Sequence, residues 1–82
     1  VAANAAAFRK YGAKFLARGG AAARLEGAGR SRNVVIEFKD IATAQACYAS
    51  PEYQRALKLR QPVSTADLVI VEGYDGPQPT DP

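Results

Sequence analysis

The sequence predicts a small α+β domain, and three observations carry that expectation. The front of the chain is alanine-rich and helical in pattern. Two separate runs of β-branched residues follow, Val34-Val35-Ile36 and Val69-Ile70-Val71. Between those runs lie two helical segments with their own start signals at Asp40 and at Ser50-Pro51. At 82 residues the chain makes one domain. Residues 1–73 read as that domain. Residues 74–82, with three prolines and no apolar anchor, read as a flexible tail.

Residues 1–11 favour a helix because alanine is the best helix former and no β-branched residue follows Val1. Val1, Ala5, Phe8 and Tyr11 fall on one face, and Gly12 supplies a left-handed stop. Lys14–Arg18 is short enough for a strand, with Gly19-Gly20 as a bend after it. Extended structure resumes at Arg24-Leu25-Glu26, and Gly27–Arg30 is a turn. Asn33–Phe38 is the strongest strand, with three β-branched residues in a row and an aromatic end. Strands over residues 14–26 and 32–38, folded about residues 28 and 29, place Arg18 diagonal to Glu37 on the same side.

Asp40 is an N-cap for a helix over Ile41–Ala49. Ser50 caps a second helix, with Pro51 at its first position and Glu52 at the positive end of the dipole. That helix stops before Pro62. Leu68–Glu72 then reads as the last strand. The order is helix, strand, strand, helix in two pieces, strand. One strand restored in front of Val1 gives βαββαβ, the split βαβ of ferredoxin-like folds.

The core is thin. Apolar residues are 48% of the chain, but 17 are alanine and only 17 are Leu, Ile, Val or Phe. Both faces of the strands at 34–38 and 68–71 are apolar, so the chain's own helices cover one face and a symmetric partner is expected on the other. Composition also removes functions. With no histidine, the usual triads and His metal sites are excluded, and one cysteine excludes both an intramolecular disulfide and a multi-cysteine zinc site. No phosphate-loop or dinucleotide-binding glycine motif is present, and no metal or cofactor is expected. The net charge of +3 comes from scattered rather than clustered basic residues, including Arg30 and Arg32 around the turn. That pattern describes a solvated surface, not a nucleic-acid site. No apolar run approaches the length of a membrane span. Unpaired cysteine and the lack of a signal-like segment favour the cytoplasm.

The stretches RNVVIEF, ACYASPEYQRALKLR and STADLVIVEG, with FLARGG and LEG ahead of them, resemble domain-of-unknown-function family 1330 of the dimeric α/β-barrel superfamily. The resemblance runs from about Ala5 to Gly73 and lacks that family's first strand. It implies a ferredoxin-like subunit whose sheet packs on a second copy to form a shared barrel. It implies no activity, because fold does not carry chemistry.

Four residues are the candidates for a site. Arg18 and Glu37 are charges inside apolar strands, where an unpaired charge is costly. They read either as an ion pair at the sheet edge or dimer seam, or as the polar end of a pocket for a small organic anion or polar metabolite. Tyr48 and Tyr53 read either as core aromatics or as hydroxyls lining that pocket. Two functions therefore stand: a small-molecule binding protein with cofactor-independent chemistry, and a structural or regulatory homodimer with no catalytic activity.

Overall fold

The computed structural model describes residues 4–82. Val1, placed by periodicity on the first helical face, lies outside them. The elements are α1 (Ala5–Tyr11), β1 (Lys14–Arg18), β2 (Val34–Glu37), α2 (Ile41–Ala49) and α3 (Pro51–Arg60), followed by a 3-10 turn at Gln61–Val63. The protein is α+β, with one two-stranded antiparallel sheet among the described residues.

Each helix end has a local cause. Gly12 terminates α1 with φ of 70°, a conformation that glycine adopts without a Cβ clash. The Asp40 carboxylate accepts from the Thr43 N–H at 2.7 Å and so satisfies an orphan donor at the start of α2. The Ser50 hydroxyl accepts from the Tyr53 N–H at 3.2 Å, and Pro51 occupies the first turn of α3. The same hydroxyl donates to the Cys47 carbonyl at 2.7 Å, so Ser50 closes α2 as it opens α3.

The core sits where the three helices meet. Ala7, Cys47, Tyr53, Ala56 and Leu57 are buried, and Phe8, Tyr11 and Phe38 pack against that cluster. Phe15 reaches it from the sheet, edge-on to Phe8 at 5.7 Å between ring centroids. The helices thus cover the face of the sheet that carries Phe15 and its ladder partner Ile36. The Lys10 ammonium donates to Glu52 at 3.2 Å and ties α1 to α3.

Three expectations need correction. The first concerns register. Lys14 pairs with Glu37 and Phe15 with Ile36, but the register then shifts, so that Ala17 pairs with Val35 and Arg18 with Val34. The irregularity falls at Leu16. One extra residue in a strand turns every later side chain to the other face. Arg18 therefore shares the helix-side face with Phe15, Val34 and Ile36, whereas Glu37 lies with Lys14 on the opposite face. Arg18 and Glu37 are also at opposite ends of the ladder, so they are not diagonal neighbours. The second correction follows: the hairpin does not continue as paired strand to residue 26, because residues 20–33 form no ladder beyond the Gly19 N–H to Asn33 carbonyl bond of 2.8 Å.

The third is the last strand. Leu68–Glu72 makes no ladder with any described residue. Its β-branched residues favour a strand, but β propensity mostly expresses packing on a partner. An open cleft separates this run from β2, and Arg30 Nε to Asp67 Oδ2, at 2.9 Å and solvent-exposed, is the ion pair that links it to the hairpin. Beyond it the tail turns on itself through Tyr74 Oη donating to the Pro77 carbonyl and the Gln78 N–H donating to Asp81.

The molecule is extended for its mass. It exposes 6787 Å², where a compact monomer of 8.7 kDa would expose about 4,700 Å². Its radius of gyration is 14.8 Å, against about 12 Å for a compact domain of this length.

Candidate functional site

One cleft of about 1430 Å³ runs between the sheet, the helices and the 63–73 segment. Its walls are informative. Every residue of β2, and Phe38 after it, lines it, and on the far side every residue from Val63 to Gly73 does. Side chains on one face of a strand alternate, so an unbroken run means that the cleft meets β2 along its edge rather than on one face alone. That edge carries no ladder partner among the described residues.

All four sequence candidates line this cleft, but they do not form one cluster. Arg18 stands at the hairpin end, with its guanidinium carbon 4.5 Å from the centre of the Phe15 ring, a cation–π contact. Glu37 stands at the other end of β2. The two ion pairs among the described residues, Lys10–Glu52 and Arg30–Asp67, include neither Arg18 nor Glu37. The tyrosines lie together, with ring centroids 5.2 Å apart. Tyr53 is a core residue, 8% exposed, and Tyr48 is 38% exposed. The Tyr53 backbone N–H is taken by Ser50, while its hydroxyl makes no hydrogen bond to another described residue. The Tyr53 ring is part of the core.

In sequence Arg30 and Arg32 are solvated flanks of a turn. Both line the cleft beside Arg18. The Arg32 guanidinium lies against Gly19, so close that a Cβ there would meet it at 2.3 Å. Gly19 also has φ of 71°. The Gly19-Gly20 pair was the available signal, since a glycine in or beside a strand marks close approach by another group.

The Arg30 guanidinium hydrogen-bonded to Asp67 holds that carboxyl below its ordinary range. Hydrogen bonds from its own N–H and from Lys10 do the same for Glu52. Each is biased toward its charged form. Burial pushes the Cys47 thiol up, which makes it a poor nucleophile. No group of three or more metal-ligating side chains occurs among the described residues, and no described helix is long and apolar enough to cross a membrane.

Fold and cleft together define a small α+β protein with an open groove along the edge of its sheet. The chain belongs to the DUF1330 family, a domain of unknown function whose model matches residues 1–74. No curated protein matches the chain significantly.

Proposed function

We propose that the protein is a cytoplasmic homodimer of ferredoxin-like subunits, arranged as a dimeric α/β barrel, that binds a small organic anion or polar metabolite between sheet and helices. The observation that carries the ligand reading is the single cleft along which Arg18, Glu37, Tyr48 and Tyr53 all lie. At about 1430 Å³ it exceeds the roughly 300–1,000 Å³ of a small-molecule pocket. An added strand accounts for the difference. Laid between the open edge of β2 and the Leu68–Glu72 run, it would satisfy both and give the four-stranded sheet of a ferredoxin-like subunit. The remaining space, under the helices, carries the tyrosines.

The dimer reading rests on surface. The chain exposes roughly 2,100 Å² beyond a compact monomer. Val34, Val35, Leu68, Val69 and Val71 are all exposed, a set too apolar to face water. Interfaces between permanent partners bury area on that scale. The same surface favours the second reading, a structural or regulatory homodimer without catalysis, because it calls for a partner whether or not the cleft holds a ligand.

A thermal-shift screen of a metabolite library tests the choice. A ligand present at 100 times its Kd stabilises the protein by about 2.7 kcal/mol, and small organic acids should lead the hits. If no compound raises the midpoint, the ligand reading fails and the structural dimer stands.

A further inference from the structure

The hairpin end of the cleft carries three guanidinium groups, and each is held by a different device. Arg18 lies over the Phe15 ring at 4.5 Å. Arg32 is seated against the bare backbone of Gly19. Arg30 gives its Nε to Asp67 at 2.9 Å. Chain geometry brings the first two to the same end. Arg18 closes the ladder opposite Val34, and Arg32, two residues before Val34, lays its guanidinium against Gly19, the residue that follows Arg18.

The holding devices leave donors unused. A cation–π contact engages the flat face of a guanidinium, whereas its N–H groups point outward in the plane. Neither ion pair among the described residues includes Arg18 or Arg32, so Asp67, itself 86% exposed, balances only one of three charges. Like charges lining one end of a cleft repel, and an oxyanion among them offsets the repulsion while accepting charge-assisted hydrogen bonds. Ser31, Ser64 and Thr65 border the same cleft.

We propose that Arg18, Arg30 and Arg32 form an oxyanion subsite at the hairpin end of the cleft, which takes the carboxylate or phosphate group of a small organic ligand. This inference rests on the cleft being a small-molecule site, and it moves the charged anchor of that site from an Arg18–Glu37 pair to an arginine cluster. Glu37, at the far end of β2 and on the opposite face of the sheet, is no part of this subsite.

The test follows the arginine Nε–Hε resonances of the labelled protein while inorganic phosphate, or separately acetate, is added at constant ionic strength. Arg18 and Arg32 should shift saturably with one shared midpoint, while Arg9 and Arg55 stay still. Arg18→Gln and Arg32→Gln should each weaken phosphate about ten- to hundredfold, the equivalent of one lost charged hydrogen bond. Arg32→Lys, which keeps the charge but loses the fork, should fall between. Tighter binding of phosphate than of acetate identifies a phosphoryl-bearing ligand, and the reverse a carboxylate. Equal, non-saturating shifts at every arginine would overturn the subsite. So would a screened compound that perturbs Tyr48 and Tyr53 but binds Arg18→Gln and Arg32→Gln as well as the unaltered chain, and that result would leave the cleft reading intact. If no screened compound perturbs Tyr48 or Tyr53, the cleft reading itself fails.

Discussion

Replacing Tyr53 by alanine removes the largest single piece of the helical core. The ring is 8% exposed and touches Tyr48 at 5.2 Å and Phe8 at 6.1 Å between centroids, so it joins α1, α2 and α3. Truncating a buried aromatic costs about 3–5 kcal/mol. A domain of this length has roughly 4–12 kcal/mol in all, and this core of five buried apolar residues among those described puts it toward the lower end. Tyr53→Ala should therefore leave the protein at the edge of unfolding. Ser50→Ala removes one cap bond to the Tyr53 N–H and one bond to the Cys47 carbonyl, at about 0.5–2 kcal/mol. Tyr53→Phe removes a hydroxyl with no hydrogen-bond partner among the described residues and should change stability by less than about 1 kcal/mol. Urea unfolding, with a slope near 1 kcal/mol per molar for so small a protein, separates the three by molar differences in midpoint. Coincident midpoints for Tyr53→Ala and Ser50→Ala would refute the assignment of Tyr53 to the core. A large loss in Tyr53→Phe would mean that its hydroxyl has a structural partner after all.

Sedimentation at micromolar concentration should give a dimer, and Val69→Lys, which places a charge in the exposed apolar run, should shift it toward monomer. Asp40, Glu52 and Asp67 titrate below their ordinary values, Asp40 because the Thr43 hydroxyl and then its N–H donate to it. Depressed folded values mean that their stabilisation is present above the unfolded carboxylate range and is lost as pH falls through the folded values, so urea midpoints should drop below about pH 4. Asp40→Asn, which still caps but does not ionise, should flatten that acid limb. Lys10 is raised by its hydrogen bond to Glu52, so its contribution is lost only as pH climbs above its ordinary 10.5. Cys47, 1% exposed, should react with a thiol reagent at the rate of unfolding. Labelling that outpaces unfolding would place the thiol at the surface.

What the sequence made legible is what depends on near neighbours. The bounds of α2 and α3 come from Asp40, Ser50 and Pro51 acting within three residues of themselves, and they fall where the side-chain chemistry puts them. Gly12 closes α1 for the same reason. Pairing across the hairpin is different. The shift at Leu16 has no proline or glycine to announce it, yet it turns Arg18 away from Glu37 and toward the helices. Every argument that counted by twos along that strand inherits the error.

The Leu68–Glu72 run shows the other limit. Val69, Ile70 and Val71 have the composition of a strand, and nothing in their order is at fault. A ladder, however, is a property of two edges. Here the facing edges border a cleft rather than each other. The same cleft shows which of its lining residues a sequence can single out. Arg18, Glu37, Tyr48 and Tyr53 could be picked out because each is a polar group in an apolar setting. Arg30 and Arg32 could not, because in sequence they flank a turn among glycines, where arginine is ordinarily solvated. Only the fold shows Arg32 lying on Gly19 and Arg30 reaching Asp67. Glu37, Lys39 and Asp40 place charges of both signs at the other end of β2, whereas Arg18, Arg30 and Arg32 give the hairpin end three cations against the Asp67 carboxylate, and an excess of one sign is what an ion of the other sign is drawn to.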